Sequence, residues 1–440
     1  MFRKFLILLL FLPFTGFAQS FSTLVNKETE SAQAQYTAWY QHLHKNPELS
    51  TQEMNTAAFL KKELGQSGFT IIDSLGFHSF AAILKNGNGP VVLYRTDMDG
   101  LPVKEQTGLP FASEASYIKE GQPVSAMHAC GHDIHMSSWL GTATLMSRIR
   151  KQWSGTLIFL AQSAEETGQG ARKMIASPAF ARLPKPDVQL AFHDNADLPA
   201  GQIGFCDGYS MAAVDMMNIT IYGKGGHGAA PQQAIDPVLL SAQYITAIQS
   251  IVSRNLSAND PAVITVGAIH GGTVGNIIPD QVQLKLTIRS FSAAARQTIL
   301  DRLKTIGDNM AAGAGLSKDK WPQYELLDMS IKSVYNDPQL GASLRTVLSK
   351  ERGDSSYTTV KPIMIGEDFG EYGQLPSKIP SYLMWVGTVS PERKAMAAKG
   401  EAELYSLHSS RFAPDYTATI PAAVKTMSAC ILHLLSPVKK

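Results

Sequence analysis

The residues most able to do chemistry lie in eight consecutive positions, from His128 to His135. This stretch holds one thiol (Cys130), three imidazoles and a carboxylate around Gly131, which allows a tight turn. Cysteine and histidine are the ligands that zinc and similar cations prefer, and aspartate adds a harder oxygen donor. Helix-forming residues follow from Met136, so the spacing predicts these side chains just before a helix over 136–150. The pattern favours a metal site over a buried free cysteine with surface histidines.

Three apolar strands are predicted to end in further reactive side chains, and ligands commonly bind at strand ends in α/β proteins. Residues 91–94 lead to Asp97 and Asp99, residues 156–161 lead to Glu165 and Glu166, and residues 188–192 lead to His193. Adjacent carboxylates repel in a partly dry site unless a cation lies between them. One carboxylate of each such pair can then bind the cation while the other transfers protons. This convergence predicts a metallohydrolase, although an Asx-turn with a salt bridge to Arg95 also explains Asp97 when that strand end is taken alone.

The element order changes between about residues 211 and 330. The pattern predicts strands over 215–222, 262–269, 281–290 and 324–331, and helices over 236–254 and 293–312. The order βαββαβ is that of a ferredoxin-like unit, an antiparallel sheet with helices on one face. The glycine-rich loop 223–228 lacks the spacing and the strand-to-helix context of a dinucleotide site. The α/β pattern resumes after 331, where His408 lies in a polar stretch that also suits a surface histidine.

Composition and the N-terminal segment limit the class of protein. The 440 residues include 39 basic and 37 acidic ones, a net charge of +2 without a basic run, so nucleic acid is a poor partner. Residues 1–18 combine Arg3 and Lys4 with a short apolar run and small residues, which predicts a signal peptide. We therefore expect a mature protein that begins near Gln19 and is periplasmic or secreted. No later segment is long and apolar enough to predict stable membrane insertion.

Several motifs recur in the order found in one known family. They are RTDMDGLPVKE (95–105), MHACGHDIH (127–135), QSAEE (162–166), GKGGHGAAP (223–231), GGTVGNIIPD (271–280), IRSF (288–291), GEDF (366–369) and LHSSRF (407–412). With them the chain resembles the amidohydrolase subfamily of the aminoacylase and carboxypeptidase-type metallopeptidases. That subfamily includes hippurate hydrolases, auxin-conjugate hydrolases and N-acetyldiaminopimelate deacetylases. Gln232, where relatives usually have histidine, and the pair Asp194 and Asn195, where relatives show apolar residues, depart from the pattern.

The resemblance implies a role for each matching position. The ligands of two divalent metal ions, Mn²⁺ or Zn²⁺, would be Cys130, His132, Glu166, His193 and His408. The general base would be Glu165, and Asp97 would support the ligands. Substrate-contacting residues would be His227, Asn276 and Arg289, of which His227 could act in catalysis across a dimer interface.

We therefore expect an α/β protein of two domains, a catalytic α/β sandwich with a central mixed sheet and an inserted ferredoxin-like α+β satellite. The predicted boundaries are 1–18 for the signal peptide, 19–210 and 331–440 for the catalytic domain, and 211–330 for the satellite. The expected activity is metal-dependent hydrolysis of N-acyl amino acids, small molecules of the hippurate type, with a homo-oligomer possible through the satellite. A dipeptidase or carboxypeptidase, an N-acetyldiaminopimelate deacetylase and a non-catalytic binding protein are the alternatives.

Overall fold

The computed structural model describes residues 21–119, 121–375 and 377–435. The predicted signal peptide lies outside the described residues. The first part of the chain forms α1 (Phe21–Ser31), α2 (Gln33–Lys45), α3 (Met54–Gln66), β1 (Thr70–Ile72), β2 (Phe80–Asn86), β3 (Val91–Asp97), β4 (Ser116–Lys119), β5 (Gln122–Ser125), α4 (His132–Arg148), β6 (Gly155–Gln162), α5 (Gly170–Ile175), β7 (Val188–Pro199), β8 (Ile203–Phe205) and β9 (Gly208–Met211). None of the helices in the described ranges is long and apolar enough to span a membrane.

The middle of the chain forms β10 (Ala213–Tyr222), β11 (Gly226–His227), α6 (Pro237–Asn255), β12 (Ala262–His270), β13 (Ile277–Ile278), β14 (Gln281–Ser290), α7 (Ala293–Gly313) and β15 (Gln323–Leu326). The last part forms β16 (Val334–Asn336), α8 (Pro338–Arg352), β17 (Tyr357–Thr359), α9 (Gly370–Gly373), β18 (Ser381–Val389), α10 (Pro391–Ala398) and α11 (Tyr416–Leu434).

The largest sheet has eight strands in the order β1-β2-β6-β3-β7-β18-β8-β17. Its central strands β6, β3, β7 and β18 are parallel, while β2 pairs antiparallel with β6 and β8 pairs antiparallel with β18. Alternate side chains enter different cores: Val92 and Tyr94 face one, and Leu93 faces the other. Both faces of the sheet are therefore buried, as parallel strands require, and the predicted mixed α/β architecture is confirmed.

A second sheet of four antiparallel strands, in the order β12-β14-β10-β15, forms the satellite. The buried side chains of β14, including Leu284 and Leu286, pack against Ile248 of α6 and Ile299 of α7. The predicted order βαββαβ is thus present. The last strand ends at Leu326 rather than at residue 331, because Asp328 lies in a turn where its carbonyl and carboxylate both accept hydrogen bonds from Arg172.

Candidate metal centre

Helix α4 begins four residues earlier than the sequence pattern predicts, at His132 rather than at Met136. Gly131 precedes it with φ 73°, and its carbonyl accepts the N–H groups of Ile134 and His135. A Cβ at position 131 would lie 2.2 Å from Oδ2 of Asp194, so the close approach as well as the left-handed backbone requires glycine here. His132 is consequently a helical residue on the first turn of α4.

The structure brings the five predicted ligand side chains together, and they are called the ligand cluster below: Cys130, His132, Glu166, His193 and His408. The thiol of Cys130 lies 3.8 Å from Nε2 of His193 and 3.3 Å from Nε2 of His408. The two oxygens of Glu166 lie 3.5 Å from His408 Nε2 and 3.8 Å from His132 Nε2. Residues from four separate parts of the chain therefore converge on one small volume.

The donor atoms of the ligand cluster fit divalent cations. Nε2 of His132 and Oε1 of Glu166 are buried, have no hydrogen-bond partner among the described residues, and lie 3.8 Å apart. Cys130 belongs to two groups whose ligand atoms all lie within 4.8 Å of one another, one with His132 and His193 and one with Glu166 and His408. Because a cation–donor distance is about 2.0–2.3 Å, one ion can reach the members of each group. The thiol is common to the two groups.

Glu165 is buried beside the ligand cluster, with an oxygen 4.0 Å from Nε2 of His132. Burial and the neighbouring carboxylates, above all Glu367 and then Glu166, raise the pKa of Glu165 well above its usual range. A raised pKa suits a group that must accept a proton and pass it on. Burial also raises the pKa of Glu166, to about 7, so the contacts rather than the pKa distinguish the two glutamates: an oxygen of Glu166 lies 3.5 Å from Nε2 of His408.

Asp97 connects the ligand cluster to a buried ionic network. One oxygen lies 2.7 Å from Nδ1 of His135, and the other accepts a 2.7 Å hydrogen bond from Arg95. Burial alone would raise the pKa of Asp97, but His132, His135 and Arg95 outweigh burial and hold that pKa well below its usual range. Asp97 is therefore an ionised support for the imidazoles around it.

Sequence reasoning missed the partners that hold this network together. The Arg95 guanidinium is fully buried and also contacts Glu367 at 3.0 Å and Asp368 at 2.8 Å. His135 bridges Asp97 to Asp194, whose Oδ1 lies 3.2 Å from its Nε2. In the sequence, an arginine inside a buried strand indicates that Arg95 needs buried acidic partners. The carboxylate directly after the predicted ligand His193 indicates that Asp194 lies near the site.

The three residues expected to meet the substrate lie on the satellite. His227 is exposed on β11, beside Asn276, whose carbonyl accepts the N–H of Gly228 at 2.8 Å. Within the described ranges neither side chain contacts the ligand cluster. Arg289 lies on β14, and its Nη1 is 3.4 Å from the position of a Cβ built on Gly366, so it faces the catalytic domain.

Arg289 has the properties of an anion-binding residue. Its side chain is half-buried, and burial lowers its pKa from the ordinary value. Among the described residues it has no ion-pair or hydrogen-bond partner. A guanidinium in this state gains by binding a carboxylate through two parallel hydrogen bonds.

Comparisons with known proteins show the family to which the chain belongs. The profile of the family described as Peptidase family M20/M25/M40 matches residues 93–420. The N-acetylcysteine deacetylase of Bacillus subtilis (strain 168) is 37% identical over 355 residues, which cover 80% of this chain and 87% of that protein. An N-acetyldiaminopimelate deacetylase of Lacticaseibacillus paracasei is 35% identical over 398 residues, covering 89% and 95%.

Two solved structures are similar over nearly the whole chain. An aminohydrolase from methicillin-resistant Staphylococcus aureus has a TM-score of 0.84 at 25% identity, covering 94% of this chain and 100% of that one. A Bacillus subtilis protein described as a dinuclear metal-binding peptidase of the M20 family has a TM-score of 0.75 at 29% identity, covering 92% and 99%.

Proposed function

The chain belongs to the M20/M25/M40 peptidase family and is a hydrolase of that family, and from this premise we propose that it cleaves the amide bond of N-acyl amino acids. Short acyl groups are the first candidates, because the relatives at 37% and 35% identity are named deacetylases of N-acetylcysteine and N-acetyldiaminopimelate. The observation that carries the proposal is the pairing of Glu165 with the ligand cluster at one end of the central sheet.

The chain's own residues can perform the proton transfers of amide hydrolysis. Divalent cations held by the ligand cluster would supply Lewis acidity, which polarises a carbonyl and makes water a better nucleophile at neutral pH. Glu165 takes the proton of the attacking water and delivers it to the leaving nitrogen. Asp97 fixes His135 and keeps the imidazoles of the site in place. Arg289 binds the carboxylate of the amino acid and so orients the scissile amide.

We assign His227 and Asn276 to substrate contact and to stabilisation of the oxyanion. Both residues lie on the satellite away from the ligand cluster. They can therefore act only when the satellite closes over the site or when a second copy of the chain supplies them.

Assembly of two copies through the satellite is part of this proposal. Strand β12 lies at the edge of its sheet and exposes Val263 and Ile269, and Leu239 of α6 is 57% exposed. An uncovered apolar edge strand invites pairing with another chain. Light scattering should give the mass of a dimer for the wild type and of a monomer for Ile269→Lys. A wild-type monomer would contradict the assembly.

Export and the identity of the metal are further parts of the proposal. Residues 1–18 support a signal peptide, and the mass of the mature protein tests cleavage near Gln19. The thiolate and imidazoles favour zinc, while the carboxylates admit manganese. Elemental analysis of the purified protein decides between the two ions.

The activity is tested by measuring amine release from a series of N-acyl amino acids, beginning with N-acetyl substrates. We expect hydrolysis that a chelator abolishes and that added Mn²⁺ or Zn²⁺ restores. Short dipeptides in the same assay test the dipeptidase alternative. Substrate binding without hydrolysis by the folded, metal-loaded protein would overturn the proposal and favour a binding protein.

A further inference from the structure

The turn that delivers Glu165 contains a backbone conformation that needs support. Ala164, which directly precedes Glu165 and follows the end of β6, has φ 58°. Residues with a Cβ adopt this left-handed region only at an energetic cost, and they persist there where surrounding bonds hold them. Ala164 is completely buried, so the support must come from protein groups.

Glu53, just before α3, holds the N–H side of this turn, while the carbonyl of Ala164 accepts the N–H of Gly170 at 3.0 Å. Its Oε1 accepts the N–H of Ala164 at 2.8 Å and the N–H of Thr51 at 3.0 Å, and its Oε2 accepts the hydroxyl of Ser163. The carboxylate is fully buried and forms no ion pair within the described parts of the chain. Burying a carboxylate without a counter-ion is costly, and the hydrogen bonds that Glu53 accepts from the turn offset part of this cost.

The neighbouring Glu166 is held by a separate contact. Its N–H donates to Oδ2 of Asp99 at 3.0 Å, and the same oxygen accepts the hydroxyl of Ser50 at 2.6 Å. The loop that contains Ser50 and Glu53 therefore supports the two glutamates through different bonds. Loss of the Glu53 contacts should disturb Glu165 while the metal-ligand position of Glu166 stays in place.

We propose that Glu53 is a positioning residue for Glu165: by accepting the N–H of Ala164 it fixes the left-handed turn and thereby the direction of the Glu165 carboxylate. The role of Glu165 as a base rests on the proposed function. The hydrogen bonds that fix the turn do not depend on it. What matters in this assignment is hydrogen-bond acceptance at Oε1, not the negative charge of Glu53.

Two substitutions at Glu53 separate acceptance from charge. Glu53→Met removes the acceptor and should lower kcat by about 10- to 100-fold with little change in KM, the cost of a misplaced catalytic group. Glu53→Gln keeps an oxygen for the two N–H groups and an amide for Ser163, so it should retain most of the wild-type kcat. Metal content should equal that of the wild type in both variants. Equal impairment of both variants, or a loss of metal that parallels the loss of kcat, would overturn the proposal.

Glu48→Met is the matched control. Glu48 is also a buried carboxylate of this loop, but it accepts the N–H groups of Asn55 and Thr56 at the start of α3 and does not touch the Ser163–Ala164 turn. Its replacement should lower the free energy of unfolding and leave the kcat of the folded protein unchanged. A fall in kcat equal to that of Glu53→Met would make the effect one of general stability.

Hydrogen–deuterium exchange provides a readout that needs no substrate. Peptides covering residues 163–168 should exchange faster in Glu53→Met than in Glu48→Met or the wild type.

If the wild type hydrolyses no N-acyl amino acid, the proposed function fails, yet the exchange result still decides whether Glu53 fixes the turn. If Glu53→Met does not fold, Glu53→Asp replaces it: it keeps the charge but withdraws the oxygens by one methylene from the N–H of Ala164, and it should lower kcat about fivefold, the effect of one ordinary hydrogen bond. Unchanged exchange and kcat in the folded variants would refute the assignment.

Discussion

Glu165 and Glu166 are neighbours in sequence but lie in different surroundings. The oxygens of Glu166 lie 3.5 and 3.8 Å from the imidazoles of His408 and His132. Glu165 lies 4.0 Å from His132, and burial and then the carboxylate of Glu367 raise its pKa. Groups with different partners can have different tasks, one as a ligand and one as a base. The adjacency of the two acids in the sequence predicts such a division, and from their partners in the fold we propose Glu166 as the ligand and Glu165 as the base.

Glu165→Gln tests the division directly. The amide cannot accept a proton from water, so kcat should fall at least about 100-fold, which is the usual contribution of a general base. Metal content should stay at the wild-type value, because Glu166 and the other ligands are intact. Steady-state kinetics and elemental analysis of the same preparation measure both quantities. A variant that keeps most of its activity, or that loses its metal, would show that the roles are assigned wrongly.

Cys130→Ala tests whether the thiol is a metal ligand. Cys130 is a member of both ligand groups. Loss of a residue that merely supports a ligand weakens metal binding about 10- to 100-fold, so loss of this ligand should weaken it at least as much. Metal-to-protein stoichiometry after dialysis against a weak chelator measures the effect. Cys430→Ala is the control, because Cys430 is buried in α11 and takes part in neither group. The same stoichiometry in both variants would make Cys130 a structural cysteine.

At the scale of the elements, local patterns predict most strands and helices but not where the first helix of the site begins. The apolar runs of β3, β6 and β7 are read correctly, because strands buried on both faces are continuously apolar. The start of α4 is missed by four residues, since histidine and aspartate indicate a loop by composition. Gly131 overrides that preference by adopting the left-handed conformation from which the helix begins.

Contacts between distant elements lie beyond what spacing can predict. Arg95 on β3 contacts Glu367 and Asp368, and Glu53 contacts the turn after β6. Each residue type was visible in the sequence, and the ligand cluster itself could be proposed from strand ends and a resemblance. The partners of a buried charged residue depend on the order of the strands in the sheet. That order cannot be read from spacing: β6 lies beside β3 although α4 separates them in the chain.

His44 joins α2 to α4 and gives a pH-dependent prediction. Its Nδ1 lies 2.6 Å from Asp133 and its Nε2 lies 3.0 Å from Glu105. Burial lowers the pKa of His44, but the hydrogen bonds to Asp133 and Glu105 outweigh burial and raise that pKa from 6.5 to about 9. Because the folded value is the higher one, the stabilisation is complete below about pH 6.5 and is lost as the pH rises through about 9.

His44→Gln should therefore lower the free energy of unfolding by about 1–3 kcal/mol at pH 6, and by clearly less at pH 10. Denaturant unfolding at the two pH values measures the difference. His42→Gln, a change at an exposed histidine of the same helix, is the control and should show no such dependence. An equal loss at both pH values would mean that His44 is not charged in the folded protein.

At the scale of the whole molecule, the satellite is tied to the catalytic domain close to the site. The chain enters the satellite beside Ile365, whose carbonyl accepts the N–H of Ala212, and leaves it at Ile331, which pairs with Val214. Arg289 of β14 pairs with Val214 of β10. Its side chain faces Gly366, the residue before Glu367. At the junction of the two units Arg289 therefore faces the catalytic domain without an ion-pair partner among the described residues.

This placement predicts that the substrate needs a free α-carboxylate and that Arg289 binds it. The guanidinium can hold a carboxylate through two parallel hydrogen bonds, a geometry that lysine cannot reproduce. Since the arginine and the ligand cluster belong to different domains, carboxylate binding also favours the arrangement in which the domains enclose the amide.

Cleavage of an N-acyl amino acid is compared with that of its C-terminal amide for the wild type and for Arg289→Lys. The wild type should prefer the acid by about 10-fold or more in kcat/KM, because the amide loses a hydrogen bond between charged groups. The variant should lose most of that preference. Equal cleavage of acid and amide by the wild type would rule out carboxylate recognition and leave Arg289 a structural cation at the domain junction.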